Sequence, residues 1–311
     1  MKAVRIHNYG DASVLRYEDA PMPQCGVDDV LIRVIASSVN PVDWKIREGN
    51  LKAMLPFTMP FIPGWDVSGV VHAIGKNALR FQVGDAVFSR PDIARDGTYA
   101  EFVAVRESEV AAKPRTISHI QAAVLPLAGI TAWEALVTVG HISPGQRVLV
   151  HAAAGGVGSL AVQIAKAKGA HVIGTASAAH RTLVLSLGAD EFVDYHAQSL
   201  RQAVHNIDLV LDTMGGETQS DSWHVMAPDG MLVSIASDPS EGLALWPRLR
   251  GAFLFVQPNA PVLAQLAQLV EQGQLRSVVG AEYALHDIQL AHALSETGHV
   301  TGKVALWVSQ P

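Results

Sequence analysis

The chain has 311 residues, of which 49% are hydrophobic and 17% charged, with a formal net charge of −6. That length favours two domains, the balance describes a packed globular chain, and the negative charge gives no electrostatic reason to expect nucleic acid. No apolar run reaches the roughly eighteen residues of a membrane span, and Cys25, the single cysteine, excludes both an internal disulfide and a cysteine-rich zinc site.

Met1-Lys-Ala-Val-Arg-Ile6 reads as a first strand with no basic-plus-apolar leader before it, so a cytoplasmic location is expected. Up to about residue 120 the chain carries short β-like runs, among them Asp29–Ile35, Val67–Ile74 and Tyr99–Val105, punctuated by turn residues such as Gly75, Gly84 and Asp85. Short strands at this spacing predict a compact β-barrel or sandwich-like domain. Ile120–Leu136 then predicts an apolar helical segment interrupted at Pro126 and Gly129. Strands are predicted near 147–151, 171–175, 191–194, 208–212 and 230–235 with helical patterns between them. That alternation is the pattern of an α/β fold with a doubly wound parallel sheet. The tail adds helices at about 260–272 and 286–297 and a closing strand in Gly302–Val308.

Within the second half, Val148-Leu-Val-His-Ala-Ala-Ala-Gly-Gly-Val-Gly158 runs from a β-branched strand through a small-residue turn into the helical pattern of Ser159–Lys168. Strand, glycine turn and helix N-terminus in that order present free backbone N–H groups and a positive helix end to a phosphate. Against G-x-G-x-x-G the segment supplies Ala153, Gly155 and Gly158. Gly155 would let the backbone approach a pyrophosphate and Gly158 would let the helix pack on its strand, with Ala154, Gly156 and Val157 completing the cradle. A purely structural tight turn is the alternative.

The following strand, Gly169–Ser177, selects the dinucleotide. An NAD site needs an Asp or Glu about twenty residues past the glycines. Here Thr175, Ala176 and Ser177 stand at that strand's end, followed by His180 and Arg181. A hydroxyl and a guanidinium suit a 2′-phosphate that a carboxylate would repel, so NADP(H) is the expected cofactor. The alternative for Arg181 is a solvated residue in the first turn of the next helix. Met214 and Gly215 follow the strand Asp208–Asp212 and should lie at the carboxyl edge of the sheet, where ligands bind in such folds.

Taken together, these pieces resemble the medium-chain dehydrogenase/reductase superfamily, and within it the zinc-free quinone oxidoreductase branch of zeta-crystallin-like quinone reductases and plant-type enone reductases. The resemblance rests on Ser38–Gly49, Pro63–Val71, Gly97–Glu101, Ala128–Trp133, the Ala153–Gly158 turn and Gly298–Val304. It implies a GroES-like barrel over 1–121, a Rossmann domain over 122–257, and a return of the chain to the barrel over 258–311. The zinc alcohol dehydrogenases carry a cysteine where this chain has Asn40, a His-Glu pair where it has Trp65-Asp66, and a multi-cysteine lobe near 89–98, where it has none. Zinc needs thiolate and imidazole ligands held tetrahedrally, and the thirteen histidines lack ligand spacing, so no metal is expected.

Without a Lewis acid to polarise an ordinary carbonyl, hydride transfer is easiest to an acceptor whose conjugation spreads the developing charge. The expectation is therefore an NADPH-dependent reductase of a quinone or an α,β-unsaturated carbonyl, working largely by orientation. A non-catalytic, crystallin-like NADPH-binding protein is the alternative, and a zinc alcohol dehydrogenase is less favoured. The resemblance implies a place for Thr131 beside the nicotinamide ribose, for Tyr195 near the adenosine 2′-phosphate, and for Ser234, Phe253 and Phe255 around the nicotinamide. It brings Lys303 near the cofactor. The structural alternatives are an ordinary helix hydroxyl for Thr131, packing for Tyr195 and a solvated surface position for Lys303.

Asn40, Asp43 and Lys45, the polar residues of Asn-Pro-Val-Asp-Trp-Lys, are the expected catalytic residues, with Lys45 donating to the substrate oxygen or binding a cofactor phosphate or ribose. The plain reading is an Asp43–Arg47 pair on one helical turn with Lys45 in solvent. Trp44 and Trp65 line a pocket or belong to the core. Family habit implies a homodimer, with a small-molecule quinone or enone as substrate, no nucleic acid and no membrane.

Overall fold

The β-branched runs of the first third become β1 (Lys2–Arg5), β2 (Arg16–Asp19), β3 (Asp29–Val39), β4 (Val67–Ile74), β5 (Ala86–Ser89), β6 (Phe102–Arg106) and β7 (Val110–Ala112). The alternating region supplies β8 (Arg147–Val150), β9 (His171–Ala176), β10 (Glu191–Asp194), β11 (Ile207–Asp212), β12 (Met226–Ser234) and β13 (Arg250–Phe253), and the chain returns with β14 (Val279–Ala284) and β15 (Lys303–Trp307). The structure is a computed structural model that describes residues 1–309, so positions 310–311 of the expected C-terminal return lie outside the described residues.

The chain divides into two compact units. One holds Met1–Leu127, Gln257–Gln272 and the chain from Ser277 onward; the other holds Ala128–Val256 and Gly273–Arg276. The first boundary thus falls later than residue 121. The reason is local: the helix His119–Ala123 buries Ile120 and Ala123 against Ala36 and Ala305 of the first unit. Gly129, expected to break a helix, lies inside the helix Pro126–Trp133. Pro126 is the first residue of that helix, where the N–H it lacks has no intrahelical partner to lose.

In the first unit, strands run in the order β14-β15-β3-β4-β5-β7, with β6 also paired to β3. Alternate residues of β3 (Val30, Ile32 and Val34) pack with Val67, Val71, Val87, Val103 and Val105, as the period of a strand requires. A second apolar cluster gathers Ile46, Trp65, Tyr99, Leu285, Ile288 and Leu306, which settles Trp65 as core.

In the second unit, six strands are ordered β10-β9-β8-β11-β12-β13, and every pair is parallel. Strand order reverses between β8 and β11, the switch point at whose carboxyl edge ligands bind in open α/β sheets. Edge strand β13 has no counterpart in the sequence expectation: Arg250-Gly-Ala-Phe253 shows no apolar run, and its pairing with β12 makes it a strand.

Candidate functional site

The glycine turn follows β8 directly. Ala152 holds a φ of +46°, a left-handed conformation that a non-glycine residue adopts only when its surroundings impose it. Gly155 then caps the helix Gly156–Ala167, whose first-turn N–H groups have no carbonyl four residues back. A Cβ on Gly158 would stand 2.2 Å from the Ala152 carbonyl oxygen, so only glycine lets this helix approach the turn so closely. A Cβ on Gly155 would meet only that same oxygen, at 3.2 Å, and otherwise open space. The two glycines therefore do different work: Gly158 permits packing, and Gly155 leaves the approach clear. Ala154 and Thr131 are buried, while Gly156 and Val157 are partly exposed.

The register of β9 and β10 sets Ala176 beside Asp194, so Ser177 and Tyr195 leave the sheet at the same level. Ser177 Oγ lies 2.9 Å from His180 Nδ1. Arg181 is exposed with its guanidinium 5.3 Å from the Phe192 ring centroid, and Tyr195 is exposed beside His196. Thr175 is turned inward: its hydroxyl lies 3.1 Å from Nδ1 of buried His151, whose Nε2 is 2.9 Å from Ser222 Oγ. Because the Ser222 hydroxyl donates to the Thr218 carbonyl, it accepts from His151 Nε2–H, which leaves Nδ1 to accept from Thr175. Burial holds the His151 imidazole down to about 4, so it is neutral. Farther along the edge, Met214, Phe253 and Phe255 are exposed, whereas the Ser234 side chain is fully buried and donates to Asp212.

The first unit holds a buried polar cluster around the helix Pro41–Arg47. Asn40 caps this helix, and its backbone N–H donates to Asp43 Oδ2 at 2.8 Å. The Tyr99 hydroxyl donates to the same oxygen at 2.6 Å. Burial pushes the Asp43 carboxyl up to about 7, against the opposing pull of these two donors. The Asn40 amide donates to Asp66 Oδ2 at 2.8 Å and accepts from Lys303 Nζ through its own oxygen. Lys303 Nζ also donates to the Val39 carbonyl at 2.8 Å and lies 3.4 Å from Asp66 Oδ2. Asp66 is completed by the Ser38 hydroxyl at 2.6 Å and the Leu127 N–H at 2.7 Å. Burial lowers the Lys303 ammonium from its usual range, with Asp66 opposing.

Lys303 is therefore not a solvated surface lysine: it is 6% exposed, and its three hydrogens are directed at these partners. The Asp43–Arg47 pair does not form either. Arg47 donates to Glu296 at 2.5 Å, Glu48 at 3.0 Å and the Gly10 carbonyl at 3.0 Å, because Asp43 faces Tyr99. Lys45 is exposed, its Nζ 5.6 Å from the Trp44 ring centroid.

The positions that carry zinc ligands in the alcohol dehydrogenases hold an amide, an indole and a carboxylate here, with an ammonium directed among them. That donor set does not fit zinc, since it offers no thiolate or imidazole and already contains a cation. Among the described residues, no group of three or more His, Cys, Asp or Glu is arranged to hold a metal, and no helix is long and apolar enough to cross a membrane. The sequence expectation did not single out Tyr99, whose hydroxyl meets Asp43, or Asp212, which accepts from Ser234. Only Asp66 carried a signal, as a carboxylate in an otherwise apolar run before β4.

A barrel unit and a parallel-sheet unit with this turn define a nucleotide-dependent dehydrogenase or reductase. The model of the alcohol dehydrogenase GroES-like domain matches residues 26–115, and that of the zinc-binding dehydrogenases matches residues 187–306. The chain is 36% identical over 322 residues to the chloroplastic NADPH-dependent alkenal/one oxidoreductase of Arabidopsis thaliana, covering 99% of this chain and 79% of that one. The solved quinone oxidoreductase of Coxiella burnetii superposes with a TM-score of 0.92 at 34% identity, with 99% of each chain covered. The Escherichia coli quinone oxidoreductase, solved with NADPH, gives 0.89 at 25% identity over 99% of this chain and 100% of that one. The chain belongs to the medium-chain dehydrogenase/reductase superfamily and carries the features of its zinc-free branch.

Proposed function

We propose that the protein is a zinc-independent, NADPH-dependent reductase of quinones or α,β-unsaturated carbonyl compounds. The observation that carries this reading is the glycine turn Gly155–Gly158 at a helix N-terminus after β8, with Ser177 and Arg181 and no carboxylate just past the end of the next strand, β9. Relatives named for quinone and alkenal/one reduction support it. When bound, NADPH supplies the hydride, and a proton from water or an acid completes the reduction.

The first-turn N–H groups of Gly156, Val157 and Gly158 would hold the pyrophosphate beside Ala154, while Ser177, Arg181 and Tyr195 would take the 2′-phosphate. Thr131, Met214, Phe253 and Phe255 would border the nicotinamide end. The inward-turned hydroxyls of Thr175 and Ser234 would support that site instead of touching the ligand, whereas the Lys303 ammonium is directed at Val39, Asn40 and Asp66 within its own unit. On the substrate side, the exposed Lys45 ammonium is the donor for an acceptor oxygen or a cofactor ribose or phosphate. Asn40 holds one amide hydrogen beyond the one given to Asp66, and Asp43 positions Asn40 through its backbone N–H.

The quaternary reading is a homodimer; sedimentation at monomer mass would refute it. A cytoplasmic location belongs to the same proposal. The activity is tested by NADPH oxidation against a panel of quinones and enones. Turnover of at least one class is expected, and a flat response with intact NADPH binding would leave the non-catalytic alternative standing.

A further inference from the structure

A buried carboxylate ties together two loops at one half of the parallel sheet's carboxyl edge. Asp212 is the last residue of β11, and its side chain is fully buried. Oδ1 accepts from the backbone N–H groups of Met214 and Gly215, each at 2.9 Å. Oδ2 accepts from the Ser234 hydroxyl at 2.7 Å and from Gln219 Nε2 at 2.9 Å. Ser234 ends β12, and its own oxygen accepts from the N–H groups of Ala236 and Ser237, both at 3.2 Å. Gln219 Nε2 also reaches the Ser237 carbonyl at 3.2 Å and hydroxyl at 3.1 Å.

The two loops are pressed together as well as bonded. Gly215 has a φ of +70°, and a Cβ there would stand 2.9 Å from Ser237 Oγ. Four donors converging on two oxygens call for a carboxylate, since an amide would turn an N–H toward donors. Such a network is costly unless every member is satisfied, and here each oxygen is. In the strand order β10-β9-β8-β11-β12-β13, these loops lie across the switch point from Ser177, Arg181 and Tyr195. The two halves of such a sheet take the two halves of a dinucleotide.

We infer that Asp212, acting through Ser234 and Gln219, is a positioning residue that sets the seat of the cofactor's nicotinamide half. This rests on the NADP(H) reading above. Asp212 touches neither cofactor nor substrate in this role; it fixes the height and spacing of the Met214–Gly215 and Ala236–Ser237 backbone that border the ring.

The experiment compares two ligands of the intact chain: NADPH, and adenosine 2′,5′-bisphosphate, which occupies only the adenosine half. Titrations on Ser234→Ala, Gln219→Leu and Asp212→Asn are set against Val204→Ala, a core truncation in the same unit, with amide hydrogen exchange read alongside. Ser234→Ala should weaken NADPH about fivefold, the worth of roughly one hydrogen bond, while bisphosphate affinity stays within about twofold and exchange quickens at Ala236 and Ser237. Asp212→Asn should weaken NADPH about tenfold or more and free Met214 and Gly215 too, whereas Val204→Ala should leave the ratio of the two affinities unchanged. Equal losses for both ligands, or faster loop exchange with unchanged NADPH affinity, would overturn the inference. Should Asp212→Asn fail to fold, the Ser234 and Gln219 variants decide. A wild-type chain that binds neither ligand would refute the NADP(H) reading itself, a result distinct from those.

Discussion

Replacing Lys303 by Met removes the ammonium from the buried cluster and leaves the methylene stem in place. Lys303 is 6% exposed and Asp66 fully buried, so no solvent reaches in to take over the lost charge. Breaking a buried pair from one side costs about 3–5 kcal/mol, because the remaining charge is uncompensated. Asp66 keeps three donors, from Ser38, Asn40 and Leu127, at 2.6, 2.8 and 2.7 Å, which places the cost near the lower bound. We therefore expect a loss of about 3 kcal/mol, a fall in Tm of roughly 5 °C for a chain of this length. The assay is urea and thermal unfolding of wild type, Lys303→Met, Asp66→Asn and the double variant. The double variant should recover about 1–3 kcal/mol relative to the sum of the singles, since it removes both charges together. Additive losses, or a single-variant loss below about 1 kcal/mol, would refute the assignment of Lys303 as the internal partner of Asp66 and Asn40.

Gly158→Ala should be poorly tolerated, because its Cβ would stand 2.2 Å from the Ala152 carbonyl oxygen. Stability measured by urea unfolding should fall by about 2 kcal/mol or more, whereas Gly155→Ala should fold normally and lose NADPH affinity alone. Arg181→Ala should raise the KM for NADPH far more than that for NADH; equal changes would show that the 2′-phosphate is read elsewhere. Asp43 has a folded value of about 7 against an ordinary carboxyl value of 3.8, so its contribution to stability is fully present below 3.8 and is lost as pH rises toward 7. Asp43→Asn, which imitates the protonated form, should therefore gain on wild type by up to about 1.4 kcal/mol per pH unit across that window, read from urea midpoints; a flat difference refutes the shift. His151 and His292 act in the opposite sense. Burial pulls them to about 4 and about 3, so they withdraw stability as pH falls below 6.5.

Much of this architecture is legible before any coordinates. The β8 strand, the glycine turn and the helix after it are local in sequence and carry their own periodicity and steric signals, so Gly155 and Gly158 could be assigned roles from spacing alone. The missing carboxylate after β9 and the missing cysteine and histidine at Asn40 and Trp65 are also local facts, and they point toward the 2′-phosphate and away from zinc. Weakly patterned elements escaped: β13 is a strand by virtue of its neighbour, and Gly129 stays helical because its surroundings outweigh a propensity cost of about 1 kcal/mol.

What the chain could not disclose by itself is which polar residues face each other. Lys303 and Asp66 are separated by 237 positions, and Arg47 and Glu296 by 249. No periodicity links such distances, so a solvated Lys303 and an Asp43–Arg47 pair stayed open as alternatives in the sequence, and neither forms. Burial itself sets the chemistry of these groups, pushing Asp43 up and His151 down, and burial is a property of the packed molecule. Sequence thus determines the strand, glycine turn and helix that follow one another, and the kind of cofactor the chain takes, through contacts between near neighbours. The tertiary structure decides which buried polar side chains pair, because desolvation and long-range pairing exist only once the chain has closed on itself.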